Sequence, residues 1–212
     1  MRRLSLLAAA CVLGFGLAQI ATAGDFSFTG NFTADDNVQA FSFNVGATST
    51  VTLRTWSYAG GVNAAGQTIA PDGFDPILAL FDSSGALIGQ NDDGGCFLVA
   101  HDAETGECYD TYFSATLNPG AYTTTVMEYN NFAIGPNLSN GFVQQGNGNF
   151  TAGFCTSATG AFWDVTCDQN DGHWAFDILN VNSAVVSSTP EPCTLMLLGS
   201  FLGLGGLLRR RK

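Results

Sequence analysis

Basic residues are nearly absent from the middle of this 212-residue chain. Between positions 24 and 189 there is no lysine and a single arginine, Arg54, against 17 acids, a formal charge of −16. Such a segment repels nucleic acid and anionic membrane surfaces, so no nucleic-acid partner is expected. An acidic polysaccharide would need a divalent cation as a bridge. No helix-period apolar run occurs in this region. Also missing are a Gly-x-Ser-x-Gly elbow, a His-Glu-x-x-His pair, a phosphate loop and a Cys-x-x-Cys zinc pattern. The Asp-x-Asp-x-Asp-Gly calcium loop with its distal Glu is absent too. Two histidines remain: His101 reads as a solvated loop residue and His173 as a strand-edge residue. The expectation is a protein without enzymatic activity. Paired carboxylates for glycoside hydrolysis keep a secreted hydrolase as the last alternative.

What the chain does have is two ends unlike its middle. Arg2 and Arg3, the apolar stretch Leu4 to Ile20, and Ala21-Thr22-Ala23 predict a signal peptide over 1–23, a helix removed after Ala23. At the other end, Pro190-Glu191-Pro192-Cys193-Thr194 leads into an uncharged run of 16 residues, Cys193 to Leu208, and then Arg209-Arg210-Arg211-Lys212. As a helix the run spans about 24 Å, short for a bilayer core of about 30 Å, so it predicts a short transmembrane helix that needs local thinning. The terminal cations stay cytoplasmic and leave the preceding domain on the far side.

The order Pro-Glu-Pro, a small residue, Thr, a Gly/Leu-rich helix and an Arg-rich end resembles the PEP-CTERM sorting domain of Gram-negative bacteria. Cys193 stands where that family most often has Ser. The resemblance covers 190–212 and implies Pro190, Glu191 and Pro192 as the sorting motif. It further implies an exosortase-type membrane protease as partner, transient residence in the inner membrane, and a link to exopolysaccharide and biofilm.

With Cys11 in the signal and Cys193 in the tail, four cysteines remain in the middle. In an exported protein an even set reads as disulfides. Of the three possible connectivities the one made of two local bridges, Cys96 with Cys108 and Cys155 with Cys167, is favoured, because each pair bounds a polar or Gly-containing loop.

The fold class follows from period-two alternation. Phe26/Phe28, Phe41/Phe43/Val45, Val51/Leu53, Phe113/Ala115/Leu117 and Trp174/Phe176/Ile178 alternate with polar residues, the mark of half-buried strands. Ile77 to Phe81 is apolar throughout and predicts a central strand. Asp82-Ser83-Ser84-Gly85 and Asn118-Pro119-Gly120 are turns. The expected domain is one all-β, antiparallel β-sandwich, jelly-roll-like, over 24–186, with a sorting and anchor segment over 187–212. Residues 59–73 read as a long loop, and 130–172 as an inserted loop or irregular hairpins.

Within 35–128, the order Ala34–Phe43, a Val/Thr strand, Phe74–Asp82, Gly89–Asp93, Asp110–Phe113 and Leu117–Tyr122 is similar to the bacterial pre-peptidase C-terminal domain. That resemblance implies a secreted β-sandwich whose members can bind calcium and assist secretion or attachment.

The residues themselves point to the same cation. Calcium takes six to eight hard oxygens. If the strands flanking the Ser83-Ser84-Gly85 turn pair, Asp75 before the first and Asn91-Asp92-Asp93 at the end of the second meet on one side, with Gly94 and Gly95 admitting the backbone. Asp75, Asn91, Asp92, Asp93 and Asp110 are therefore the candidate Ca2+ ligands; Asp82 lies at the opposite end as a turn former. Asp35, Asp36 and Asn37 form a lesser cluster. Trp56, Tyr58, Trp163 and Trp174 are candidates for a sugar-binding platform. The leading expectation is an exported, calcium-stabilised protein of the cell envelope, surface or extracellular matrix. The alternative is a glycan-binding module for the matrix polysaccharide.

Overall fold

The computed structural model describes residues 22–187. The predicted signal helix, the transmembrane helix and the sorting motif Pro190, Glu191 and Pro192 lie outside the described residues. Among the described residues, no helix is long and apolar enough to cross a membrane.

Among the described residues, eleven strands form in chain order: β1 Gly24–Asn31, β2 Val38–Val45, β3 Ser49–Thr55, β4 Gly61–Val62, β5 Thr68–Ile69, β6 Pro76–Phe81, β7 Leu87–Asn91, β8 Tyr112–Leu117, β9 Gly120–Glu128, β10 His173–Val181 and β11 Ser183–Ser187. A four-stranded sheet has the order β1-β10-β3-β8 and a five-stranded sheet the order β11-β2-β9-β6-β7; β4 and β5 make a small hairpin. Every strand pair is antiparallel. The alternation read from the sequence thus becomes a β-sandwich. Phe41, Phe43, Val51, Leu53, Leu78, Leu80, Val126, Phe176 and Ile178 fill the space between the sheets.

All six residues of β6 are buried, as the unbroken apolar run predicts, and the two faces are buried by different partners. Leu78 and Leu80 point into the sandwich. Ile77, Ala79 and Phe81 point outward, where they pack with Met127, Ala133 and Phe142. The segment after β9 therefore acts as a cover over the outer face of the five-stranded sheet. It is pinned by hydrogen bonds from Leu87 N to Pro136 O (2.8 Å) and from Leu138 N to Gly85 O (2.8 Å). Gln90 adds a pair of side-chain bonds to Ala133. The stretch that reads as an irregular loop is what makes a continuously apolar strand stable in an antiparallel sheet, whose second face is otherwise solvated.

β11 was not expected; its Ser-Ala-Val-Val-Ser sequence does not alternate. It pairs with β2 from Ser183↔Asn44 to Ser187↔Ala40 and forms an edge of the five-stranded sheet. The two local disulfides form, Cys96–Cys108 and Cys155–Cys167, with Cα atoms 5.3 Å and 5.5 Å apart.

Candidate cation site

The site grows out of the β6–β7 hairpin. Asp82 Oδ1 accepts from Ser84 N (2.8 Å), Ser84 Oγ (2.6 Å) and Ala86 N (3.0 Å), so it closes the turn and is absent from the other end. There, Leu78 stands opposite Asn91, which brings Asp75 to Asp92 and Asp93. One carboxylate oxygen from each of Asp75, Asp92 and Asp93 lies within 4.8 Å of the others. The Thr111 hydroxyl reaches the carbonyl oxygens of both Pro76 and Asp92, tying the start of β6 to the end of β7. Gly94 packs where a Cβ would sit 2.7 Å from Tyr112 Cβ and 2.6 Å from Val99 Cγ1. A side chain there would push the chain off the start of β8 and spoil the approach of Asp92 and Asp93.

Three oxygens in this group are buried without a hydrogen-bond partner: Asp75 Oδ1, Asn91 Oδ1 and Asp92 Oδ1. Asp75 is 3 % exposed. Burial, then the charges of Asp93 and Asp92, hold its carboxyl well above the ordinary carboxylate range. Burial pushes Asp92 up to about 6. Burial and then neighbouring Asp92 push Asp93 up to about 7. Like charges forced together in a dry setting resist ionisation, and leaving their oxygens unpaired is costly. A hard divalent cation satisfies both demands, and the donors present, carboxylates and one amide carbonyl, are those it prefers.

Glu128 is a further acid at this end that no motif in the sequence singles out. It ends β9 opposite Pro76, one residue from Asp75. It is 1 % exposed, and its Oε2 is buried without a partner. Burial, then the charges of Asp75 and Asp35, raise its carboxyl well above the usual range. The signal available was an acid closing the otherwise apolar or threonine-rich strand Thr123 to Met127.

Asp110 departs from its expected place. Its Oδ1 accepts from Thr55 Oγ1 (2.8 Å), Ser57 N (2.7 Å) and Tyr58 N (3.3 Å), and its Oδ2 from Ala59 N (2.9 Å). The carboxylate is committed to the chain leaving β3, because that bend exposes three successive amides that need an acceptor. The Asp35–Asn37 cluster is likewise dispersed. Asn37 Oδ1 caps Thr33 and Ala34, Asp36 Oδ2 accepts from Gly146 N, and Asp35 Oδ2 accepts from Thr151.

The candidate sugar-platform aromatics are divided between interior and half-buried positions, Trp163 being half-buried. Tyr58 and Trp174 are 1 % and 5 % exposed and belong to the interior. Trp56 is half-buried, with the Arg54 guanidinium 3.7 Å from its ring centroid and its Nε1 donating to Asp177 Oδ2 (2.8 Å). Of the histidines, His101 is exposed in the first disulfide loop, and His173 opens β10 paired with Asp171.

No family model matches the chain, and no curated protein matches it. Among solved structures, the chain is similar to the pre-peptidase C-terminal domain of a collagenase from Bacillus anthracis. The identity is 12 %, the TM-score is 0.36, and 73 % of this chain and 88 % of that one are covered. This is the domain type that residues 35–128 resemble, but at that TM-score the likeness decides neither the fold nor the function of this chain.

Proposed function

We propose that this is an exported, non-enzymatic protein of the cell envelope or extracellular matrix whose β-sandwich is stabilised by Ca2+ at Asp75, Asn91, Asp92 and Asp93. The observation that carries the reading is the convergence of three carboxylates within 4.8 Å with buried, unpartnered oxygens on Asp75, Asn91 and Asp92. Arg54, the one base between residues 24 and 189, is engaged with Trp56. Two disulfides support an oxidising compartment. In this reading the tail around Pro190, Glu191 and Pro192 delivers the domain through an exosortase-type protease, and the acidic sandwich meets exopolysaccharide only across a shared cation.

The test is calorimetry of the purified domain with added Ca2+ and with excess chelator. Saturation at 100 times the Kd adds about 2.7 kcal/mol of stability, so chelation lowers the Tm by several degrees. The combined variant Asp92→Asn, Asp93→Asn melts at the same temperature in both conditions. Identical melting of the parent protein in calcium and in chelator overturns the assignment.

A further inference from the structure

The two disulfides close rings of the same separation, 12 residues each, so ring size does not distinguish them. Their surroundings do. Cys155 Sγ faces the carbonyl oxygen of Asp164 at 3.6 Å. Cys108 Sγ lies 3.3 Å from His101 Nδ1, and the same nitrogen lies 3.3 Å from the carbonyl oxygen of Gly106. A carbonyl only accepts, so Nδ1 carries the proton and its N–H is shared between Gly106 O and Cys108 Sγ. The two cysteines also differ in access: Cys96 and His101 are exposed, whereas Cys108 is buried, at 5 % exposure.

We propose that Cys96–Cys108 is a thiol-reactive disulfide and a covalent modification site for small thiols, with Cys96 the sulfur attacked and His101 the donor to the departing Cys108. The electron pair of an incoming thiolate forms a new S–S bond to Cys96 Sγ. The Cys96–Cys108 bond breaks, and its electron pair leaves on Cys108 as a thiolate. The His101 N–H stabilises that thiolate as a hydrogen-bond donor. The incoming thiol is oxidised to a mixed disulfide and Cys108 is reduced. Exchange is faster the better the leaving sulfur carries negative charge, and it depends on which sulfur is accessible; both conditions select the same direction of attack. The same disulfide loop carries the acids Asp102, Glu104 and Glu107. Asp102 is otherwise committed to Glu104 N, Thr105 N and Thr105 Oγ1. Among the described residues the Cys155–Cys167 pair has no such donor on its sulfurs, and it serves as an internal control.

The experiment is exchange of the oxidised protein with glutathione near neutral pH, quenched with acid and mapped by mass spectrometry. The expected adduct is on Cys96 with Cys108 free, and the 96–108 ring opens before the 155–167 ring. His101→Leu slows opening of the first ring about three- to tenfold, because a sulfur that carries negative charge less well leaves more slowly, and leaves the second ring unchanged. His101→Asn, which restores an N–H donor, recovers part of the rate. Because His101 is exposed, both variants keep the parent melting temperature in the oxidised state. An adduct on Cys108, equal opening of the two rings, or a parent-like rate in His101→Leu overturns the proposal.

Discussion

The Tyr58 hydroxyl donates to Asp164 Oδ2 at 2.7 Å and meets Thr105 Oγ1 at 3.0 Å. Thr105 lies inside the first disulfide ring and Asp164 inside the second, so one buried phenol on the segment leaving β3 joins both loops. Asp164 Oδ1 in turn caps Thr166 and Asp168. Tyr58→Phe preserves the ring contact with Tyr109, whose centroid is 4.9 Å away, and removes only the hydroxyl. It leaves Asp164 Oδ2 unpaired and is expected to cost about 1–3 kcal/mol. Hydrogen exchange should rise in 96–108 and 155–167 together. Faster exchange in one ring alone contradicts the joint tether.

Each disulfide is expected to stabilise on its own. A ring of this size contributes roughly 3 kcal/mol in the chain-entropy picture. Replacing Cys155 and Cys167 together by Ser should lower the denaturation midpoint accordingly. The β-sandwich signature in far-UV circular dichroism is retained, because the ring lies outside both sheets. A parent-like midpoint would remove the staple role of that ring.

Stability without the cation has a defined pH dependence. Asp75 and Glu128 are held well above the usual range, and Asp92 and Asp93 are pushed up to about 6 and about 7. A carboxyl whose folded value is raised binds more protons in the folded than in the unfolded state between the two values. Stability then falls as pH rises through that window. In chelator, the domain is expected to be more stable near pH 5 than near pH 8, by urea unfolding at the two values. Saturating Ca2+ flattens or reverses the slope, since the cation favours the ionised groups. Glu128→Gln removes one of the raised groups and makes the chelated slope shallower. A chelated protein that gains stability on going from pH 5 to pH 8 would contradict the burial of these charges.

Sorting is expected to depend on the motif and not on the sandwich. Pro190→Ala combined with Glu191→Ala should leave the full-length chain in the inner membrane fraction while the domain keeps its parent melting temperature. Normal surface delivery of that variant defeats the tag reading.

Much of this architecture is legible in local pattern. Alternation placed β2, β3 and β10, and the unbroken apolar run placed β6, because side-chain period and burial are properties of neighbouring residues. The pairing of Asp75 with Asp92 and Asp93 was reachable because a hairpin with a short turn fixes which residues meet. Asp110 was misplaced and Glu128 overlooked for the opposite reason. Both depend on contacts between distant segments: Asp110 with the amides of Ser57 to Ala59, Glu128 with the end of β6. A carboxylate that caps a bend and one left buried without a hydrogen-bond partner carry the same letter. The cover formed by Ala133 and Phe142 was hidden by the irregularity of its backbone, since no period marks a segment held by a few carbonyl contacts.

β11 gives the domain a mechanical direction. It is an edge strand paired antiparallel with β2 over five positions, from Ser183↔Asn44 to Ser187↔Ala40. Force applied at Ser187 along the strand axis loads those five pairs in shear, and they must yield together. Force applied across the axis peels the strand from Ser187 inward, one pair at a time. The same strand is therefore a strong or a weak attachment according to the angle at which the load arrives.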